Sequence, residues 1–308
     1  MVLGESIFTC TACNWEVSSF DVNVEQRIMR IVEREQVAYR NEFRYRLERE
    51  FFHTVTDYAL RRLDEGKAYS EGLKLARTGL PGRRSIAQGT PNVFYKATAT
   101  DYPPLLPIMK KKLELSEFVS EMAGCAGFHA QYLWRDAFAD LGYRILKEDV
   151  SEFEGKKVEG GDIDFVAEKD GVRFGVEVKN GLEYPNDLGN KVRVAIELGT
   201  IPVMVVRRVA WDVYANLKKY GVLTKIYETC IMPSSYESVV AECVEVLGMP
   251  LIALDAISGK TRRHLEEKVM WDSLEKVEFL KGKNKTYLTA VNEQRRRLEA
   301  LNKELRFI

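Results

Sequence analysis

Asp164, Glu177 and Lys179 are the residues of this chain whose types and spacing could do chemistry together. Two carboxylates and an amine on one surface can hold a hard divalent cation and guide a water beside it. A turn brings them into register. Asp170-Gly171, between two apolar-rich segments, is a strong signal for a two-residue hairpin turn. With that turn Lys169 pairs with Val172, and counting outward sets Asp164 opposite Glu177. In the second strand Val172, Phe174, Val176 and Val178 alternate with Arg173, Gly175, Glu177 and Lys179. One face is therefore expected to be apolar and the other to carry the acid and the amine. Facing carboxylates weaken a sheet by roughly 0.2–1 kcal/mol, and a bound cation reverses that sign. An amphipathic hairpin with a solvated Glu and Lys would show the same Glu-x-Lys pattern. Asp162 shares a face with Asp164, and a four-residue loop would set it against Glu177 instead. The two-residue turn favours Asp164 and leaves Asp162 as a helper, a second ligand or a solvated acid.

Neighbouring segments must position this hairpin. His129 to Leu141 has helical spacing, with Tyr132, Leu133, Ala137, Phe138 and Leu141 on one stripe and Gly142 as its stop. A strand starts at Tyr143-Arg144-Ile145-Leu146. After the hairpin, Asn190 to Leu198 reads as a helix, and Ile201 to Val206 as a strand covered on both faces. Helix and strand patterns continue at Trp211–Tyr220, Val222–Tyr227 and Tyr236–Leu247. The order gives an α/β class, a mixed sheet flanked by helices.

The Ile163-Asp164-Phe165-Val166-Ala167 strand and Glu177-Val178-Lys179 resemble the PD-(D/E)xK superfamily, the restriction-endonuclease-like nucleases that include archaeal Holliday-junction resolvases. That resemblance implies a restriction-endonuclease-like core. It also implies Mg²⁺ or Mn²⁺ held by Asp164, Glu177 and the Val178 carbonyl, with Lys179 assisting the attacking water. Lys179-Asn180, Val205-Val206-Arg207 and Leu247-Gly248-Met249-Pro250 are similar to a group of archaeal proteins with this core, over less than half of the chain. Many members carry a glutamate on the first helix where this chain has Gln131. Gln131 is then a neutral substitute in the site, Glu121 takes the place, or the chain is an inactive relative. Lys191 on the following helix is either a phosphate contact or a solvated charge.

Composition bounds the remaining readings. The 308-residue chain holds 46 basic and 46 acidic side chains, so any nucleic-acid surface must be local. It lacks an apolar run of the ~20 residues needed to cross a bilayer, and no basic segment followed by an apolar core marks its N-terminus. A cytoplasmic protein is expected. Between Arg27 and Lys96, fifteen basic residues face nine acidic ones. Arg27, Arg30, Arg34, Arg40, Arg44, Arg46 and Arg49 form either a phosphate-binding surface or a helix paired with its own glutamates. Helices over Val55–Leu63 and Glu71–Arg77, then Arg83, Arg84 and a strand ending at Lys96, resemble a winged-helix DNA-binding module. A plain helical accessory domain is the competing account. Arg83, Arg84, Lys96 and Lys191 are the candidate nucleic-acid contacts.

The proline-dense Asp101–Pro107 stretch suggests domains at 1–107 and 108–255, with a helical extension at 256–308 built from Lys260–Lys285 and Leu288–Leu305. Trp271, Leu274, Phe279 and Leu280 are its expected packing residues. Cys10 and Cys13 look like half of a zinc ribbon, short of the four ligands a structural Zn²⁺ needs. Cys125, Cys230 and Cys243 read as buried apolar residues. The expected activity is a metal-dependent endonuclease on DNA, with RNA left open and a homodimer as the expected assembly. The alternative is an inactive nuclease-fold protein that binds nucleic acid or acts in an assembly.

Overall fold

The hairpin forms as its turn chemistry demands. Asp170 and Gly171 both adopt positive φ, 51° and 75°, the pairing of a type I′ turn whose twist suits antiparallel strands. In the computed structural model, residues 8–9, 16–17, 21–48, 50–51, 53–64, 75–78, 93–96, 106–182, 185–270 and 273–305 are described.

Along the chain run β1 (Phe8–Thr9), β2 (Glu16–Val17), α1 (Asp21–Glu35), β3 (Val37–Tyr39), α2 (Arg40–Leu47) and α3 (His53–Asp64). Next come β4 (Leu75–Thr78), β5 (Val93–Lys96), α4 (Leu106–Asp140), β6 (Arg144–Val150), β7 (Glu152–Phe153) and β8 (Lys156–Lys157). The hairpin strands are β9 (Ile163–Lys169) and β10 (Val172–Leu182), followed by α5 (Pro185–Glu197), β11 (Ile201–Arg208), α6 (Trp211–Lys219) and β12 (Leu223–Ile226). Last are β13 (Cys230–Met232), α7 (Glu237–Leu247), β14 (Leu251–Ala253), α8 (Gly259–His264), a π-helical turn at Leu265–Met270, and α9 (Val277–Leu305). None of these helices is long and apolar enough to cross a membrane.

Two compact units emerge, Met1–Met122 with Ser238–Leu251, and Ala123–Glu237 with Ile252–Ile308. The second holds the mixed sheet, in the order β12-β11-β10-β9-β6. β9 pairs antiparallel with β10 and β6, whereas β10, β11 and β12 run parallel. This is the expected mixed α/β class, a five-stranded sheet flanked by helices. Burial of long apolar runs drives it. β11 is buried from Ile201 to Arg207 because strands flank it and helices cover both faces.

Aromatic rings set the α4 side of the sheet. Phe138 meets Tyr143 and Phe165 edge-on at 5.2 and 5.5 Å, and Tyr143 meets Phe174 at 5.7 Å. On the opposite face Ile163, Val166, Val194, Ala195 and Leu198 form a second apolar cluster. The face expected to be polar is therefore covered as well. Gly175 makes that possible, since a Cβ there would lie 2.3 Å from Thr200 Oγ1 and 2.8 Å from Ile163 Cδ1.

The first unit also has its own core, built around Ile28, Val32, Phe43, Leu47 and Leu60. Its three-stranded antiparallel sheet has the order β3-β5-β4, so the element order is helix, strand, two helices, two strands. A hydrogen-bonded charge pair lies inside this unit. Lys112, 1% exposed, donates to both Glu42 oxygens at 2.8 and 2.9 Å and to the Val37 carbonyl at 2.9 Å.

Several sequence expectations need correction. The segment read as a helix over Glu71–Arg77 ends in strand β4, whose pairing with β5 is tertiary. The helix pair of this unit is α2 and α3 instead. α4 begins at Leu106, far upstream of the expected His129, and is 35 residues long. Within its expected apolar stripe Tyr132 is exposed and Leu141 half-buried, while Leu133, Ala137 and Phe138 are buried; Trp134, which that stripe did not include, is fully buried. Cys125 is exposed and Cys230 half-buried, so of the three cysteines only Cys243 is buried. The helix read over Lys260–Lys285 is broken between α8 and α9, and Phe279 is exposed while Leu280 is buried.

Candidate functional site

Strand register, helix packing and burial converge on the open end of the hairpin. The β9–β10 ladder runs from Lys169↔Val172 to Phe165↔Val176, the expected register. One step further, Asp164 departs from simple pairing. Its Oδ2 accepts the Val178 backbone N–H at 2.6 Å, so a side chain takes the place of a ladder carbonyl. The Glu177 side chain is 1% exposed, on the face over which α5 packs.

α5 supplies an ammonium to that face. Lys191 Nζ lies 3.0 Å from Glu177 Oε1 and 2.9 Å from Asp162 Oδ1. Lys179 Nζ stands 3.0 Å from the same Glu177 oxygen. Both contacts to Glu177 are ion-pair distances without hydrogen-bond alignment, and neither buried Glu177 oxygen has an aligned donor. Asp162, Asp164, Glu177, Lys179 and Lys191 together carry a formal charge of −1, three acids against two amines.

That imbalance registers on Asp164. Burial first, then the Glu177 charge, push its pKa from 3.8 up to about 7, although the Val178 N–H and both lysines pull it down. Asp162 moves the opposite way, held below the usual carboxylate range mainly by the hydrogen bond from Lys191. Burial alone would lower the Lys191 pKa, but Glu177 and Asp162 outweigh it and raise it.

Elements behind the site fix its backbone. Asn180 donates to the carbonyls of Ala126 and Ile231 at 2.9 and 2.7 Å, and accepts from Ile231 N–H and the Tyr227 hydroxyl. The single Tyr227 hydroxyl proton is shared between Asn180 Oδ1 and the Lys179 carbonyl, each 3.0 Å away. β10 is thus pinned to α4 and β13 immediately after Lys179. From α4, Gln131 Nε2 reaches the Asp164 carbonyl at 3.5 Å. Glu121, ten residues earlier on the same helix, lies about 15 Å away along its axis, so it cannot replace Gln131.

The structure therefore brings together Asp164, Glu177, Lys179, Lys191 and Asp162, with Gln131 at the margin. By sequence Lys191 reads as a solvated charge or a phosphate contact; only packing of α5 over Gly175 reveals it beside Glu177. Lys96 ends β5, whereas Arg83, Arg84, Cys10 and Cys13 lie outside the described residues. Among the described residues, no group of three or more His, Cys, Asp or Glu side chains is placed to hold a metal. The arrangement the sequence suggests has two carboxylates, Asp164 and Glu177, and the Val178 backbone carbonyl. Its oxygen donors are those a hard cation takes: a positive charge there would offset the Glu177 repulsion that adds to burial in raising Asp164, and would engage Glu177 oxygens that no aligned hydrogen-bond donor satisfies.

No family model and no curated protein matches the chain. Among solved structures, it is similar to a crystal structure of a repair endonuclease from Pyrococcus abyssi, at 15% identity and a TM-score of 0.24, over 52% of this chain and 67% of that one.

Proposed function

We propose that the protein is a metal-dependent phosphodiesterase that cuts DNA. The observation that carries this reading is one buried carboxylate, Glu177, beside an Asp164 whose pKa is raised to about 7, with the Lys179 amine on the same face. Asp164 and Glu177 would hold Mg²⁺ or Mn²⁺ together with the Val178 carbonyl. The bound ion would supply Lewis-acid polarisation of the scissile phosphate and a more acidic water.

The chain's own groups have separable tasks. Lys179 Nζ, 3.0 Å from Glu177, is placed to orient a water or to stabilise charge on the phosphoryl oxygens. Asn180 and Tyr227 fix the strand on which Glu177 and Lys179 ride, which preserves their spacing. Gln131 contacts the Asp164 backbone and contributes no charge.

A winged-helix reading of the first unit fits its element order, with α3 as the helix entering a groove and β4–β5 as the wing. It gives DNA as the substrate a physical basis, alongside the local basic surplus in that part of the sequence.

The test is cleavage of plasmid and branched DNA, with matched RNA, in Mg²⁺ and in Mn²⁺. Activity should fall on the order of a hundredfold or more in Glu177→Gln and Lys179→Ala. Inactivity of the unaltered protein on every nucleic acid would overturn the reading. One observation favours a second reading, a nuclease fold without catalysis. Lys191 already places an ammonium 3.0 Å from Glu177, supplying some of the positive charge a metal would bring. Steeply salt-dependent DNA binding with no uptake of Mn²⁺ would select it.

A further inference from the structure

The buried face of α1 dictates where its arginines go. Val24, Ile28, Ile31 and Val32 are buried, so Arg27, Arg30 and Arg34 point outward at helical spacing on one stripe. Like charges three and four residues apart repel, and the helix carries them without full compensation. Arg27 pairs with Glu50 at 3.0 Å and Arg34 with Glu35 at 2.8 Å. Arg30, exposed between them, makes no ion pair among the described residues.

This stripe forms one wall of an open cleft of about 520 Å³ within the first unit. Its opposite wall, the last turn of α7 and the segment that follows, is held in place by Arg46, which donates to the Val246 carbonyl at 2.8 Å. Gly248 permits that approach. Its φ is +65°, and a Cβ there would lie 2.5 Å from Arg46 Cγ. Tyr45 adds a ring to the lining, and the acids that line the cleft are Glu48 and Glu50. Glu48 is buried at 2% exposure and Glu50 is engaged by Arg27, so the accessible charge is positive.

We infer that this cleft grips the phosphodiester backbone of a nucleic acid, using Arg30 and Arg34 as the main phosphate contacts. The inference rests on the nucleic-acid reading above and extends it to a surface outside the Asp164/Glu177 site. Guanidinium groups match phosphate oxygens through paired N–H donors, and a polyanion relieves the repulsion along α1. Free phosphate shares this chemistry. The polymer is favoured because the arginines are spread along the helix, two turns from Arg27 to Arg34, instead of converging on one point.

The experiment measures anisotropy of labelled duplex and single-stranded oligonucleotides across a salt series in EDTA, comparing the full chain with its Arg30→Gln/Arg34→Gln variant. A thermal melt confirms that the variant is folded, and cleavage is assayed in parallel. Loss of two phosphate contacts should weaken binding on the order of 50-fold at roughly 0.1 M salt, and reduce the log–log salt slope by about two. Equal affinity and slope in both proteins would overturn the cleft while leaving the DNA reading standing. Stabilisation by inorganic phosphate that the variant loses, with oligonucleotide binding intact, would assign the cleft to a small anion and also overturn it. No binding and no cleavage by the unaltered chain would remove both.

Discussion

Replacing Asp164 with asparagine isolates the electrostatic burden of the site. Asparagine is nearly isosteric and keeps an oxygen to accept the Val178 N–H, so the hairpin geometry is preserved. What disappears is a carboxylate whose pKa is raised from 3.8 to about 7 by burial and by Glu177. For an acid raised in this way, the folded state holds its proton more tightly than the unfolded chain does. Its contribution to stability is fully present below the unfolded pKa and is lost as pH rises through the folded one. At pH 8 the native protein keeps almost none of it. At pH 5 the folded group is protonated while the unfolded one is mostly ionised, a difference of about two pKa units, or about 3 kcal/mol. The amide introduced in its place titrates in neither state. Metal-free Asp164→Asn should therefore be more stable than the native protein at pH 8, and that advantage should shrink by about 3 kcal/mol at pH 5. Urea unfolding with excess EDTA at both pH values measures the difference. A stability difference that does not vary with pH, or a variant less stable at pH 8, would refute this account of the site.

Other consequences follow from packing. Gly175→Ala should destabilise by about 1–3 kcal/mol, because the added methyl meets Thr200, Ile163 and Ala195, the last of which lies on α5, and so pushes α5 away from β10. The same change should weaken Mn²⁺ binding through Glu177, readable by calorimetry. Lys112→Ala should destabilise by about 3–5 kcal/mol, since it leaves the buried Glu42 carboxylate with Arg46 as its one charged partner beside the Tyr39 backbone N–H. Chemical denaturation of the full chain measures it, and a loss under about 1 kcal/mol would contradict that view of the pair.

Much of the second unit was legible from short-range signals. Asp170-Gly171 fixed the turn, the turn fixed the register, and the register set Asp164 and Glu177 at the same end of the hairpin. The apolar run at Ile201 announced a strand covered on both faces. Features that depend on packing at a distance did not show. Alternation along β10 marked Glu177 as belonging to a polar face, but it carries no information that α5 closes over that face. Lys191 looks like any helix charge until the helix meets the sheet at Gly175. β4 escapes a local reading because its four residues become a strand only through pairing with β5. In α4, Gly124 and Gly127 weaken helix propensity by about 1 kcal/mol each, yet the helix continues through both.

Binding of Mn²⁺ to the full chain, followed by electron paramagnetic resonance at pH 8, tests the central claim most directly. One ion should bind the unaltered protein, and Asp164→Asn or Glu177→Gln should each abolish the signal of the bound ion. Failure to bind Mn²⁺, or binding that survives both substitutions, would contradict a cation site between β9 and β10.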